Sequence, residues 1–185
     1  MGDSNPIIAE SRSEWRKWLS INHREIDGVW LTIFKKHSSK AGITLAEAVE
    51  EAICYGWIDS KMKSIDKDKF ILKFSQRKMS SVWSEGNKKK AIAMIRKGMM
   101  TKAGREKIEE AKANGKWKSA YSSKKGLPVP SEVERLFKKD PSARESFNRL
   151  ANNQKLQYLF WIEQAKRKET REERIYAFIE RLKKI

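Results

Sequence analysis

Trp57-Ile58-Asp59-Ser60-Lys61-Met62-Lys63-Ser64-Ile65, the turn Asp66-Lys67-Asp68-Lys69, and Phe70-Ile71-Leu72-Lys73-Phe74-Ser75-Gln76-Arg77 decide the fold. In the second arm Phe70, Leu72 and Phe74 alternate with Ile71, Lys73 and Ser75, so one face is apolar and the segment reads as a half-buried strand. The first arm sets Asp59, Lys61 and Lys63 against Ile58, Ser60, Met62 and Ser64. Two strands around a polar turn make an antiparallel hairpin, which needs a sheet of three strands or so to be stable. The strand Gly28 to Phe34, rich in β-branched and aromatic residues, supplies a partner.

Helical patterns surround these strands. Ser11-Arg12-Ser13-Glu14 and Thr44-Leu45-Ala46-Glu47 have capping-box spacing, each before an amphipathic run, and Gly56 stops the second run. Ser84 or Gly86 starts another helix that ends at Gly98, and Thr101 starts one that ends at Asn114-Gly115. Residues 122–130, with Gly126, Pro128 and Pro130, read as a linker. Beyond it the pattern is all helical, with boxes at Ser131 to Glu134 and Thr170 to Glu173, and an Asp140-Pro141 helix start. The expected fold class is α+β: residues 1–121 form an antiparallel sheet with packed helices, and residues 131–185 form an all-α module. The first ten residues read as loose.

The chain has 185 residues and a formal charge of +17. The excess is focused. Lys61 to Lys118 hold 18 basic and 6 acidic residues, and the remainder holds 23 and 18. Such a field attracts nucleic acid, anionic headgroups or an acidic partner. Cys54 is the only cysteine, so no intramolecular disulfide forms and no zinc ligand set exists. No apolar run is long enough to span a membrane, and Met1 to Arg12 lacks the apolar core of a signal peptide. The expectation is therefore a cytoplasmic protein with no cofactor and no metal. Oligomeric state is not legible.

Several motifs together resemble a known family. They are Glu14-Trp15-x-x-Trp18-Leu19, Val29-Trp30-Leu31, Glu47-Ala48-Val49-Glu50-Glu51-Ala52, Gly56-Trp57-Ile58-Asp59-Ser60, Arg77, Ser81-x-Trp83-Ser84-x-x-Asn87, Met100-Thr101-x-x-Gly104 and Gly115-x-Trp117-x-x-Ala120-Tyr121. Tyr158-Leu159-x-Trp161-Ile162-x-x-Ala165-Lys166 and Glu169-Thr170-Arg171-x-x-Arg174-Ile175 extend the likeness to the C-terminal part. The combination resembles the YdeI/OmpD-associated, or bacteriocin-protection, family. That resemblance implies a YjbR/CyaY-like N-terminal part and a small helical C-terminal module. The family name implies antimicrobial-peptide resistance and association with an outer-membrane porin.

Two contact regions stand out. Trp57, Asp59, Ser60, Arg77, Trp83, Ser84 and Asn87 offer rings, a carboxylate, hydroxyls and an amide for a ligand pocket, with Asp59 and Arg77 as polar handles. Their bland reading is core tryptophans, a packing ion pair and helix caps. Lys61, Lys63, Lys73 and Lys78 on the hairpin, with Lys88, Lys89 and Lys90 at a helix start, are the polyanion contacts, expected to gather on one side of the molecule. Arg171 and Arg174 either belong to a solvated helix surface or reach back to the N-terminal domain. Asp59 has no second carboxylate near it in sequence, and Ser60 and Ser84 lack a local histidine, so no catalytic set is assigned. A frataxin-like iron site would need an acidic ridge, and only Glu47, Glu50 and Glu51 offer one. The leading expectation is a non-catalytic basic binding protein for nucleic acid or another polyanion. The other is a stress-resistance factor acting through a protein partner or small ligand at the tryptophan-lined pocket.

Overall fold

The computed structural model describes residues 5–122 and 127–184. The chain divides into two compact units, Met1–Ala120 and Tyr121–Ile185. Ser123 to Gly126, the centre of the expected linker, lie outside the described residues.

The first unit is α+β. Its elements are β1 (Ile7–Ile8), α1 (Arg12–Asn22), β2 (Gly28–Phe34), α2 (Leu45–Cys54), β3 (Trp57–Ser64), β4 (Lys69–Gln76), α3 (Glu85–Arg96) and α4 (Lys102–Ala113). The sheet order is β1-β2-β4-β3. The hairpin forms as read, and the Asp66 carboxylate closes its turn by accepting from the backbone N–H groups of Asp68 and Lys69. β2 runs antiparallel to β4, from Gly28 opposite Ser75 to Phe34 opposite Lys69. The expectation of a loose first ten residues is corrected at Ile7–Ile8, which pair in parallel with Leu31 and Thr32. Two residues are too few to show an alternation in the sequence.

Register inside the hairpin departs from simple alternation. Asp59 pairs with Phe74, but Met62 pairs with Leu72, so Ser60 and Lys61 together oppose Lys73. This is a β-bulge, one extra residue in β3. Side chains alternate with period two, so the extra residue exchanges faces for everything beyond it. Met62 joins Trp57 and Asp59 on one face. Lys63, opposite Ile71, moves to the other. The sequence pattern placed Lys61 and Lys63 on the Asp59 face; the bulge overturns that.

The inner face presents Val29, Leu31, Ile33, Trp57, Leu72 and Phe74 to the helices. Trp15, Leu19, Ala48, Val49, Ala52, Ile53, Ala91, Met94 and Ile108 complete the core. Buried indoles keep a partner for their N–H. Trp15 donates to the Ala48 carbonyl at 3.1 Å, and Trp57 to the His23 carbonyl at 3.0 Å. Thr44 and Glu47 form the expected capping box of α2. At the other end of α2 the chain turns through Gly56 at φ 76°, a left-handed conformation that favours glycine. α4 crosses so close to this end that a Cβ on Gly104 would collide with the Cys54 carbonyl and the Met100 sulfur.

Glu51 is a fully buried carboxylate in this layer. Arg12 Nε and one Arg16 terminal nitrogen each reach it at 2.6 Å from α1. Arg12 also reaches Glu50 at 2.9 Å, and Arg16 donates to the Met99 carbonyl at 2.8 Å. Burial opposes the charge on both guanidiniums, but the bonds to Glu51 outweigh it and both pKa values are raised.

The second unit consists of α5 (Ser131–Lys139), α6 (Pro141–Arg149), α7 (Asn152–Glu163) and α8 (Lys168–Leu182). Val133, Phe137, Ala143, Phe147, Leu159, Ile162, Ile175, Phe178, Ile179 and Leu182 form its own core. Asp140 caps α6 by accepting from the Ala143 N–H, with Pro141 following as read. Two expected starts are corrected. α5 is preceded by Pro130, with Ser131 already its first residue, and α8 begins at Lys168, ahead of the Thr170 motif. In both cases helical backbone extends past the side chain that could have capped it.

Removing one partner of a buried ion pair strands the others. Glu51→Ala therefore lowers unfolding stability by about 3–5 kcal/mol in urea titration. Replacing all three charges together, Arg12→Met, Arg16→Met and Glu51→Leu, lowers it less than Glu51→Ala alone.

Candidate functional site

The face of the sheet opposite the helices carries Trp30 and Thr32 from β2, Lys69, Ile71, Lys73 and Ser75 from β4, and Ile58, Lys61 and Lys63 from β3. At its centre is the Trp30 ring, only 5% exposed. Lys63 Nζ lies 4.6 Å from the ring centroid and Lys73 Nζ lies 5.9 Å away. The lysine stems cover apolar ring surface while the ammonium groups stay near water, and the ring quadrupole attracts them. Lys61 and Lys63 are exposed. β1, β2 and β4 contain no acidic residue, and the one in β3, Asp59, pairs with Phe74 on the inner face. The strands thus offer this face cations without an acid. At its edge Lys69 meets Asp66 at 3.8 Å.

The sequence reading used Trp30 only within the Val29-Trp30-Leu31 strand motif and not as a contact residue. The signal was there: Val29, Leu31 and Ile33 alternate as core, which sends Trp30 and Thr32 to the opposite face.

The expected ligand pocket does not form. Trp57 is fully buried and meets Trp18 edge-on at 5.9 Å. Trp83 is buried elsewhere in the core, edge-on to Trp117 at 4.8 Å. The Arg77 guanidinium lies 3.8 Å above Trp83 and donates to the Val82 carbonyl at 3.1 Å. Among the described residues no ion pair joins Asp59 to Arg77. Ser60 donates to the Lys73 carbonyl at 3.3 Å. Ser84 caps α3 by accepting from the Asn87 N–H at 3.1 Å, so both serve the helix start.

The lysines divide between layers rather than gathering on one side. α3 packs on α2, in the helical layer, and carries Lys88, Lys89 and Lys90 with it. Lys88 turns inward, donating to the Trp117 carbonyl at 3.1 Å beneath that ring. Lys89 lines a shallow groove with Ile92, Arg96 and Lys97. Lys78 is exposed in the loop after β4, where its backbone N–H donates to Ser81 Oγ at 3.0 Å.

Arg171 is bound within the helical module, to Glu132 at 3.0 Å and Glu163 at 3.1 Å. Arg174 lies over Trp161 and donates to its carbonyl. These partners all belong to the helical module. The acidic group of α2 is likewise engaged, Glu47 in the capping box and Glu50 and Glu51 with arginines. Among the described residues no cluster of three or more His, Cys, Asp or Glu side chains is placed to hold a metal ion.

With this geometry in place the comparisons divide the chain in the same order. Residues 7–107 match the family described as a domain of unknown function, DUF8412. The match takes in more than half the chain. The chain belongs to the DUF8412 family. Residues 127–184 match the family described as Bacteriocin-protection, YdeI or OmpD-Associated. The likeness to that family, read from the sequence over nearly the whole chain, is thus supported for the helical module, whereas the sheet domain is a DUF8412 domain. No curated protein and no solved structure matches the chain. Among the described residues no helix is long and apolar enough to cross a membrane.

Two groups report on the architecture. Burial, and next the Glu51 charge, push the Cys54 thiol up to about 11. It therefore stays protonated at neutral pH, and iodoacetamide labels it only after denaturation; labelling at the native rate of an exposed thiol would refute this placement. In the helical module, hydrogen bonds from its own backbone and from Arg171 hold the Glu132 carboxyl below its ordinary range. A depressed carboxylate contributes stability above its unfolded pKa, about 4.3, and loses it as pH falls through the folded value. Glu132→Gln accordingly lowers the urea midpoint at neutral pH, and the gap from the parent protein closes on acidification.

Proposed function

We propose that this protein is a non-catalytic, basic binding protein that contacts nucleic acid or another polyanion through the outer face of its sheet. The observation that carries this reading is the arrangement around Trp30: Lys63 and Lys73 beside the ring, Lys61 next to them across the bulge, and no carboxylate on that face of the strands. Cations on two adjacent strands, Lys61 and Lys63 on β3 and Lys73 on β4, meet successive charges of an extended polyanion rather than one compact anion. Contacts of this kind are insensitive to sequence and sensitive to salt. The +17 charge adds long-range attraction. The lone, unpaired thiol of Cys54 supports a reducing setting, and the cytoplasm is the compartment proposed. For the first unit we also propose a YjbR/CyaY-like relationship, on the support of its helix-backed antiparallel hairpin.

The reading that the chain acts in stress or antimicrobial-peptide resistance through a protein partner is favoured by the match of residues 127–184. It stands without the tryptophan-lined pocket.

The decisive experiment is a salt titration of single-stranded oligonucleotide and heparin binding. The logarithm of affinity falls linearly with the logarithm of salt, with a slope of roughly 0.7 per single-strand phosphate contact. Lys61→Ala, Lys63→Ala and Lys73→Ala together reduce that slope by about two units. No retention at low salt, or a slope altered only by Lys88→Ala, Lys89→Ala and Lys90→Ala, defeats the assignment to the sheet.

A further inference from the structure

The helical module contains a separate groove of about 780 Å³ between α5 and α8. The two helices run side by side in the same direction. Glu132 meets Arg171 near their starts at 3.0 Å, and Asp140 meets Lys183 near their ends at 3.5 Å. Between these ties the floor is apolar: Leu136, Ile175 and Tyr176, with Tyr176 63% exposed. The rim is basic. Arg135, Lys138, Lys139 and Lys168 all border the groove, and among the described residues none of the four is in an ion pair. Glu132 is already bound to Arg171, which leaves Glu172 as the unneutralised acid of the lining.

We infer that this groove receives an acidic amphipathic helix from a partner protein. An apolar floor edged by cations complements a helix with Leu-like side chains on one face and Asp or Glu flanking them. α5 has 9 residues, a length of about 14 Å, which matches two to three turns of bound helix. An exposed tyrosine beside a buried isoleucine is the kind of central anchor that carries binding energy. A second copy of the chain is disfavoured as occupant by the +17 charge. A nucleic acid would neutralise the rim but leave the Leu136–Ile175–Tyr176 floor without an apolar partner. This inference is independent of the sheet surface.

The test uses the full chain and two fluorescein-labelled peptides of Glu and Leu with identical composition. One places Leu at i, i+3, i+4 and i+7; the other scatters it around the helix. In fluorescence anisotropy the patterned peptide binds at least about tenfold more tightly than the scattered one. Tyr176→Ala, and separately Lys138→Glu with Lys139→Glu, each weaken it by about tenfold or more, while circular dichroism stays unchanged. Oligothymidine binding is unaffected by Tyr176→Ala. Equal affinity for the two peptides, patterned-peptide binding insensitive to Tyr176→Ala, or loss of that binding only with the sheet-face lysine variant overturns the groove.

Discussion

The extra residue at Ser60 and Lys61 in β3 determines the surface of the N-terminal unit. Up to Asp59 the strand keeps the register that buries Trp57 beneath the helices. After the bulge the parity of every side chain is reversed, and Lys63 lies over the opposite face beside Trp30. Unbroken alternation would aim Lys63 at the face of Asp59 and away from Trp30. The bulge brings it to the ring instead. It also leaves Asp59 and the outer lysines on opposite sides, so the one carboxylate of the strand does not neutralise them.

A second constraint acts in the helical layer. Glu51 holds two arginines of α1 against α2, and Arg16 extends the tie to the Met99 carbonyl that precedes α4. Ion pairs of this kind set geometry more than they add stability, because desolvation consumes much of the Coulomb attraction. Here they fix how α1 lies across α2, and so where Trp15 and Trp18 meet Phe74 and Trp57. The same carboxylate, through its charge, helps to keep Cys54 protonated. The acidic segment of α2 therefore serves the interior of the fold.

Much of the fold was legible because its signals are local. The hairpin arms, the Thr44 box, the Asp140-Pro141 start and the stop at Gly56 each depend on a few neighbouring residues and are found where the sequence places them. The site was less legible. Trp57 and Trp83 read from the sequence either as ligand rings or as core residues, and each is consumed by core packing with a partner far away in sequence, Trp18 in one case and Trp117 in the other. For Arg171 the sequence left open an ion-paired helix surface or a reach to the N-terminal domain, and two glutamates within its own module hold it. A side chain's type and spacing do not reveal which distant partner satisfies it.

By itself the amino-acid sequence determined the α+β class, the all-helical C-terminal part, the buried and outer faces of β4, and the concentration of positive charge between Lys61 and Lys118. Those follow from periodicity, capping and composition, which are properties of short windows. Only the tertiary structure decided that the lysines of the hairpin and of α3 occupy different layers, that Trp30 sits among cations, and that α5 and α8 enclose a groove. These depend on a register slip and on contacts between segments far apart in the chain, neither of which a local pattern encodes.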